Sequence, residues 1–489
     1  MYGEMEVNDY HLLKYSLLYD FFLYFSSVEI YGLPIAQCLV DKFLVHIQPF
    51  VDQNRGNQKL ISKFRKQQLF QTMGDINQKL IAVENISTVT IKKNKKSILL
   101  SDEYHAFAVD QLKEYQVTLY GVLPNKHQKN LPRQFESFLF RDEMMKINGQ
   151  MVNQQKRLLK VQLDQMLSSS PPHYYFSTSL YKQWFLAACM GIIKWVYILE
   201  QLILKTRPIV IINPVEASVF GGILGLLSKK YQIPYINMPT MLIGDRSITP
   251  SRADYYFVWG KNQKNWLLRR KIKPEKITET GNIKYYYEME NHATTKESFY
   301  EKHNIPSNHK VFAFTSQPFL NTNDELEQWM LDIPSSLPVT ILIKKHRNDK
   351  YEYPLLSKKK NVRILSNDVP LYELLSQIDC LMTISSNTAI EAALFAKPLL
   401  ILQPNIPYHY QLSHNQINAH LAKAQAGEII NNVTDLIQAV KKVTTEQSYV
   451  DNLTKKGKKF LSETILTVDQ APILVKNKIE EIILKQSQS

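Results

Sequence analysis

Short apolar runs alternate with helix-like stretches from about residue 85 onward, and this pattern constrains the fold most. The runs "SILLSD" (97–102), "VTLYGVL" (117–123) and "PIVIINP" (208–214) have strand length, and "ISTVTI" (86–91) is also a predicted strand. Segments of 3.6-residue periodicity such as "QKRLLKVQLDQML" lie between them. Strand, helix, strand order predicts a parallel sheet with right-handed crossovers.

A second alternating run follows a segment rich in Gly, Ser, Pro and charged residues at about 243 to 253. Its predicted strands are "ADYYFVWG", "KITETG", "KVFAFTSQP", "VTILIKKH", "NVRIL", "DCLMTIS" and "PLLIL". We therefore predict an α/β fold of two doubly wound, Rossmann-like domains, 85–250 and 251–489, facing across a cleft. Residues 1–84, with helix-like runs "HLLKYSLLYDFFLYF" and "QKLISKFRKQQLFQTM", form a helical N-terminal extension.

The net charge of +14 predicts an anionic partner. Its densest run, "KKNKK" at 92–96, is interpreted as a solvated turn between two strands. No nucleic-acid-binding motif occurs, so a phosphorylated substrate or an anionic membrane surface is favoured over nucleic acid.

Several features indicate a cytoplasmic protein. The three cysteines lie far apart without disulfide or zinc spacing. The stretch 184–204 has membrane-spanning length but contains Lys194 and Glu200, and it is predicted to be a buried helix. The N-terminal 25 residues lack a basic region and a cleavage site, which argues against a secretory signal.

The polar tetrad Ser385-Ser386-Asn387-Thr388 lies between a predicted strand and a predicted helix. Unpaired N–H groups at a helix start bind anions, and the hydroxyls of Ser385, Ser386 and Thr388 would add donors. Glu391, further along the helix, could accept hydrogen bonds from vicinal hydroxyls. The arrangement suits a phosphate joined to a ribose, while the alternative is that one of these residues only caps the helix.

The segment 371–402 that contains this tetrad resembles the nucleotide-binding segment of the two-domain (GT-B) glycosyltransferases that make bacterial surface polysaccharides. It is also similar to the UDP-N-acetylglucosamine 2-epimerases. The segment "ADYYFVWGKNQKNWLLRRKIKPEKITETGNIKYY" resembles the start of their C-terminal domain, and "DQAPILVKNKIEEIIL" resembles their closing helix. The resemblance implies that Ser385 and Ser386 hold the donor phosphate and that Glu391 binds the ribose hydroxyls.

Two further motifs resemble the bacterial sialyltransferases and Kdo-transferases. "TSQPF" at 315–319 is similar to their Gln-Pro turn, and "IKKHR" at 343–347 to their Lys-x-His-Pro strand end. The resemblance implies that Gln317, Lys344 and His346 contact the nucleotide, with Arg347 in place of the proline. The alternative for His346 is a strand-end residue bonded to nearby backbone.

Three carboxylates are candidates for the general base. Asp102 and Glu103 in "SILLSDEYHAF" follow a strand and resemble the acidic motif of the sialyltransferases, although Tyr104 replaces its glycine. Glu216 in "NPVEASVF" is the competitor, since it also follows a strand and opens a helix. The alternative for each is an acid that favours the helix dipole.

These observations predict an enzyme that transfers a sugar from a CMP- or UDP-linked donor to a bacterial surface glycan such as capsule or lipopolysaccharide. The acceptor would be a glycan or a lipid-linked glycan, and basic helices such as "QKLISKFRKQQLFQ" would attach the protein to the inner face of the membrane. No Asp-x-Asp occurs, so no metal cofactor is expected. The alternatives are an epimerase of the 2-epimerase type and a non-catalytic member that binds nucleotide or glycan.

Overall fold

A computed structural model describes residues 7–124, 131–169, 171–289, 295–407 and 421–488. The first six residues of the N-terminal stretch considered above lie outside these ranges. The chain forms two compact units. The first unit comprises Met5–Val258, Leu267–Ile283 and Asp469–Ser489, and the second includes Trp259–Trp266 and Lys284–Val468.

The first unit begins with six helices and a small hairpin. The helices are α1 (Asp9–Tyr24), α2 (Ile35–Cys38), α3 (Val40–His46), α4 (Gln48–Asn54), α5 (Gln58–Gln68) and α6 (Met73–Ala82), and the hairpin strands are β1 (Glu29–Ile30) and β2 (Leu33–Pro34). The predicted helix at 58–73 ends early, because Leu69 is left-handed with a φ of 52°. A capping box of Thr72 and Asp75 then starts α6.

The first unit also contains a seven-stranded parallel sheet in the order β5-β4-β3-β6-β7-β8-β9. Its strands are β3 (Asn94–Ser101), β4 (Gln116–Gly121), β5 (Phe135–Leu139), β6 (Pro208–Asn213), β7 (Tyr235–Asn237), β8 (Tyr255–Val258) and β9 (Ile277–Glu279). The helices of this region are α7 (His105–Gln111), α8 (Phe140–Lys146), α9 (Gly149–Ser169), α10 (Ser179–Thr206), α11 (Val219–Tyr231) and α12 (Asp245–Ile248). Helix α13 (Lys261–Arg269) begins in the Trp259–Trp266 segment of the second unit and ends in the first. Helix α10 is long and apolar enough to cross a membrane, but 56% of its most apolar window is buried in the protein.

Two local predictions at the start of this sheet are wrong. The segment 86–91 is not a strand, and the amide of Val89 bonds to the carbonyl of Lys230 at the end of α11. Strand β3 begins at Asn94, so "KKNKK" runs into the strand and is not a turn. Its lysines are tolerated because the first residues of β3 are exposed.

The second unit contains a six-stranded parallel sheet in the order β12-β11-β10-β13-β14-β15. Its strands are β10 (Lys310–Thr315), β11 (Val339–Lys344), β12 (Val362–Leu365), β13 (Cys380–Thr383), β14 (Leu399–Leu402) and β15 (Glu428–Ile430). The remaining helices are α14 (Ile283–Met289), α15 (Lys296–Lys302), α16 (Leu320–Leu331), α17 (Leu371–Gln377), α18 (Thr388–Leu394), α19 (Val433–Thr445), α20 (Gln447–Thr464) and α21 (Ala471–Gln488).

Both sheets are doubly wound, as the sequence predicts. In each, chain order reverses at one point, between β3 and β6 in the first sheet and between β10 and β13 in the second. Such a reversal leaves a crevice outside the carboxyl ends of the two strands, where ligands of this fold class bind. Each unit therefore offers one such position, its switch point.

The division between units differs from the predicted boundary at residue 250. Strands β8 and β9 extend the first sheet from β7, and α21 packs on α7 and β6 in the same unit. The strand–helix alternation continues unbroken across residue 250, so local sequence does not show which sheet these strands join. Strand β8 joins the first sheet because it hydrogen-bonds to the edge of β7.

Candidate functional site

The switch point of the second sheet brings together three of the predicted motifs. Thr315 at the end of β10 is in register with Thr383 of β13 and with Lys344 of β11. Because parallel strands end at the same edge, the segments that follow them lie side by side. The Gln-Pro turn, the His346 strand end and the polar tetrad therefore share one edge of the sheet.

The four residues of the tetrad have different roles. Ser386 caps the first turn of α18, since its Oγ accepts the N–H of Thr388 at 3.2 Å. Asn387 is the N-cap residue of α18, but its side chain makes no capping bond. Thr388 anchors the turn to the sheet, with its Oγ1 3.0 Å from Oγ1 of Thr315. Ser385 is only 3% exposed, and its hydroxyl has no hydrogen-bond partner among the described residues.

A buried polar group without a partner is costly, at about 1–3 kcal/mol. Native structures usually satisfy such groups, and an exception often marks a ligand site. Among the four predicted hydroxyl and amide side chains, Ser385 is thus the one whose environment most favours a ligand. Ser386 caps the helix, as the alternative interpretation of the tetrad predicts.

Glu391 is a buried carboxylate near a lysine. It is 2% exposed, accepts the hydroxyl of Tyr372 at 3.1 Å and lies 3.9 Å from Nζ of Lys284. Burial raises the pKa of Glu391, and the charge of Lys284 opposes that rise. A carboxylate has two oxygens, and each can accept more than one hydrogen bond. Glu391 can therefore accept further hydrogen bonds besides the one from Tyr372.

Asp349, which sequence reasoning missed, organises the loops after β10 and β11. Its carboxylate accepts hydrogen bonds from Ser316 Oγ at 2.6 Å, Asn323 Nδ2 at 3.0 Å and the hydroxyl of Tyr353 at 3.1 Å. Ser316 Oγ in turn accepts the N–H of His346 at 2.9 Å. Asp349 is 7% exposed and follows β11 by five residues, which is the signal that could have identified it.

His346 and Arg347 are held at this edge with exposed side chains. Nδ1 of His346 accepts the N–H of Asn348 at 3.1 Å, so the neutral ring carries its hydrogen on Nε2. Partial burial, together with the charge of Arg347, lowers the pKa of His346. The pair therefore presents one N–H donor and one permanent cation.

The structure gives Lys344 a set of backbone partners. The ammonium of Lys344 donates to the carbonyls of Ser366 (3.1 Å), Asn367 (3.1 Å) and Val369 (2.8 Å). All three of its hydrogens are used, so Lys344 ties the loop before α17 to β11 and does not offer a free cation.

Gln317 is 8% exposed, and its backbone carbonyl accepts the side chain of Asn323 at 2.7 Å. The main chain of Gln317 therefore forms a fixed turn, as the predicted Gln-Pro turn requires.

The switch point of the first sheet carries two of the three candidate bases. Asp102 and Glu103 directly follow β3, and Glu103 accepts the hydroxyl of Thr240 at 2.8 Å. Asp102 is half-buried, and burial followed by the charge of Glu103 raises its pKa to about 6. Gly121 at the end of β4 makes room for it, because an added Cβ would lie 2.1 Å from Oδ2 of Asp102.

Glu216 is placed differently, in contact with backbone, and its role as a base stays a prediction. It is 1% exposed, and its Oε2 accepts the N–H of Ala253 at 2.8 Å and the N–H of Arg252. Burial raises the pKa of Glu216 to about 7. The carboxylate holds the backbone that leads into β8.

Comparison with known proteins places these geometries in context. A family model described as UDP-N-acetylglucosamine 2-epimerase matches residues 244–457, which include the whole switch point of the second sheet. No curated protein matches the chain. Among the described residues, no group of three His, Cys, Asp or Glu side chains could hold a metal ion.

Solved structures share the fold at low sequence identity. The UDP-GlcNAc 2-epimerase from Neisseria meningitidis, bound to UDP-GlcNAc, is 14% identical with a TM-score of 0.50, covering 79% of this chain and 100% of that one. Another UDP-N-acetylglucosamine 2-epimerase is 12% identical with a TM-score of 0.50, covering 81% and 98%. The wall teichoic acid polymerase TagF is 13% identical with a TM-score of 0.47, covering 89% and 99%. The chain is therefore a protein of the two-domain GT-B fold whose residues 244–457 resemble the UDP-N-acetylglucosamine 2-epimerases.

Proposed function

We propose that this protein is an enzyme that transfers a sugar from a nucleotide-sugar donor to a glycan acceptor. The observation that carries the proposal is the buried, unpartnered hydroxyl of Ser385 at the switch point of the second sheet. The epimerase family model spans this position, and a structure of similar fold is bound to UDP-GlcNAc. Both support a nucleoside diphosphate sugar as the ligand.

The described side chains of this edge suit the phosphate of such a donor. Ser385 supplies a hydroxyl, His346 an Nε2–H and Arg347 a guanidinium, and all three favour negative charge that develops on a leaving phosphate. Glu391 suits the ribose hydroxyls, because its carboxylate can accept hydrogen bonds beyond the one from Tyr372. We assign Ser386, Asn387 and Thr388 to shaping this turn.

Asp102 suits the role of the base that takes a proton from the acceptor hydroxyl. A base that takes a proton from an acceptor hydroxyl works best when its pKa is close to the operating pH, and that of Asp102 is raised to about 6. The hydrogen bond between Thr240 and Glu103 fixes its neighbour. We assign the base to Asp102, with Glu103 as the group that tunes it.

The donor, acceptor and location are finer parts of the same proposal. We favour a CMP- or UDP-linked sugar and a bacterial surface glycan, such as capsule or lipopolysaccharide, as the product. The acceptor would be the glycan itself or its lipid-linked form, made at the cytoplasmic face of the membrane. No metal enters the proposal.

Epimerisation of UDP-N-acetylglucosamine is the second candidate, and the family model favours it. In that class we expect a His-Arg pair after the first strand of the C-terminal domain. Here Gln317-Pro318 follows β10, with Ser316 committed to Asp349. The transfer reaction is therefore preferred.

A thermal-shift series with CMP, UDP, GDP and CDP tests the nucleotide assignment. A ligand at a hundred times its dissociation constant adds about 2.7 kcal/mol of stability, so the nucleotide that raises Tm identifies the donor class. Ser385→Ala is the matched variant and should lose the shift. If no nucleotide raises Tm, the proposed site is wrong.

Incubation with nucleotide sugars but no acceptor separates the reaction classes. A transferase slowly hydrolyses its donor and releases nucleotide. An epimerase instead converts UDP-N-acetylglucosamine to its C2 epimer, which proton NMR detects. Nucleotide binding with neither outcome would indicate a non-catalytic member.

Reversible attachment to an anionic membrane is a further part of the proposal. Helix α5 buries Ile61 and Phe64 and exposes Lys59 and Lys66, and Leu69 at its end is 68% exposed. Each basic residue near an anionic surface contributes about 1 kcal/mol. Sedimentation with phosphatidylglycerol vesicles should retain the protein at low salt and release it at high salt. A Lys59→Gln/Lys66→Gln variant should bind less, and a parent that stays in the supernatant would exclude this attachment.

A further inference from the structure

The helical N-terminal part of the first unit contains a cavity whose lining residues lie outside both switch points. It has a volume of about 720 Å³ and lies between α1, α5 and residues 172–174. Three tyrosine rings line it, from Tyr19, Tyr24 and Tyr174. This volume is within the range of about 300–1,000 Å³ that small-molecule sites usually have.

Several polar groups in its wall have no protein partner. The hydroxyls of Tyr19 and Tyr174 and the amide of Gln67 make no hydrogen bond to another described residue. All three residues are partly or fully exposed, although burial raises the pKa of the Tyr174 hydroxyl. They are available to a ligand that offers both donors and acceptors.

Other groups in the wall are held rigidly. The carboxylate of Asp20 accepts Gln68 Nε2 at 3.0 Å and lies 3.7 Å from Nε2 of His173. Nδ1 of His173 accepts the N–H of Tyr175 at 3.2 Å, which leaves the hydrogen on Nε2 directed to Asp20. The hydroxyl of Tyr24 donates to the carbonyl of Pro171 at 3.0 Å. The cavity is therefore preorganised on this side.

The charges in the wall argue against an ionic ligand. Asp20 disfavours an anion, while Lys63, whose Nζ lies 5.2 Å from the ring centre of Tyr174, disfavours a cation on that ring. A neutral ligand is left. It needs an apolar face for the tyrosine rings and several hydroxyls for the amide, the phenols and the carboxylate.

We propose that this cavity binds a saccharide through Tyr19, Tyr174 and Gln67. A sugar ring presents a C–H face that packs on an aromatic ring and a periphery of hydroxyls that both donate and accept. Tyr174 is 42% exposed, so part of its ring is accessible beside the ammonium of Lys63. The proposal does not depend on the transfer reaction, since it concerns residues outside both switch points.

An array of defined oligosaccharides, probed with the full chain, tests the proposal. The strongest saccharide is then titrated by calorimetry against the parent and two variants, Tyr174→Ala and Gln67→Ala. Each substitution removes a cavity-lining side chain that makes no hydrogen bond to another described residue, so folding should be retained. Thermal unfolding checks this. Affinity should fall about tenfold in each. Gln154→Ala, which removes an exposed glutamine of α9 outside the cavity, should bind like the parent.

Three outcomes would overturn the proposal. In the first, no saccharide binds the parent more tightly than it binds a Tyr19→Ala/Tyr174→Ala variant. In the second, saccharide affinity is unchanged in both single-substitution variants. The third is that choline chloride, a cationic probe, binds this cavity and no saccharide does. The nucleotide thermal shift, measured in parallel, should be the same in the parent and in the cavity variants. If no nucleotide raises the Tm of the parent while a saccharide still binds, the nucleotide site is disproved and the cavity proposal is unaffected.

Discussion

The switch points of the two sheets share a topology but differ in chemistry. At the first, β3 and β6 are followed by carboxylates, among them Asp102 with a pKa of about 6. At the second, β11 is followed by the imidazole of His346 and the guanidinium of Arg347, and β13 by the hydroxyl of Ser385, which has no partner among the described residues. One edge suits accepting a proton, and the other suits holding an anion.

Each edge also uses one buried acid to hold its loops. Glu216 accepts backbone N–H groups ahead of β8, and Asp349 accepts Ser316, Asn323 and Tyr353. In both acids, hydrogen bonds to the protein use carboxylate oxygens: Oε2 of Glu216 and both oxygens of Asp349. Such bonds give each acid a role in holding its loops.

The largest effect is expected from Asp102→Asn. If Asp102 is the base, its loss should lower turnover about 10²–10⁴-fold, because an amide cannot accept the proton. Turnover is measured as nucleotide released from the donor in the presence of acceptor. Nucleotide binding should be unchanged, since no residue of the second sheet is altered.

Glu216→Gln is the matched control for that comparison. Its amide oxygen can still accept a backbone N–H, so the variant should fold and turn over like the parent. A folded Glu216→Gln without activity, beside an active Asp102→Asn, would reverse the assignment.

Asp349→Ala should have the largest effect on stability. It leaves Ser316, Asn323 and Tyr353 without their shared acceptor, and we expect the free energy of unfolding to fall by about 3 kcal/mol. Urea unfolding measures it. Glu352→Ala is the control, because its carboxylate is 82% exposed and pairs only with Lys345 at 3.2 Å, where surface pairs contribute about 0–1 kcal/mol. Equal stability of Asp349→Ala and the parent would show that the network does not hold these loops.

Ser385→Ala and Ser386→Ala should separate ligand binding from capping. Ser385 has no partner to lose, so its variant should keep the parent's stability but bind nucleotide about tenfold to a hundredfold more weakly. Ser386→Ala should instead lower stability by about 1 kcal/mol through loss of the cap. Calorimetric titration and thermal unfolding measure the two effects. The phosphate interpretation of Ser385 is wrong if that variant binds nucleotide like the parent.

The smallest expected effect is a pH dependence of turnover. Asp102 accepts a proton only when ionised, and its raised pKa of about 6 means that the ionised fraction falls as pH drops through this value. Turnover should therefore be about tenfold lower at pH 5 than at pH 7. A rate that is flat between pH 5 and pH 7 and falls only near pH 4 would point to an unperturbed carboxylate such as an exposed Glu.

Much of the fold was predictable from local sequence. Buried parallel strands are continuous apolar runs, so β6, β10 and β13 could be recognised directly, and their order along the chain implies the doubly wound sheets. The segment 86–91 imitates such a run but is mostly exposed. Strand pairing needs a neighbouring edge, and a short alternating pattern does not reveal whether one exists.

Sequence also determined the candidate edges, because motifs that follow strands of a parallel sheet must gather at its carboxyl ends. It could not rank the residues there. Ser385 and Ser386 are adjacent and identical, yet one caps a helix and the other is buried without a partner. Lys344 matches a binding motif, but its ammonium donates hydrogen bonds to three backbone carbonyls. Such roles depend on contacts between residues far apart in the chain, so only the tertiary structure decided them.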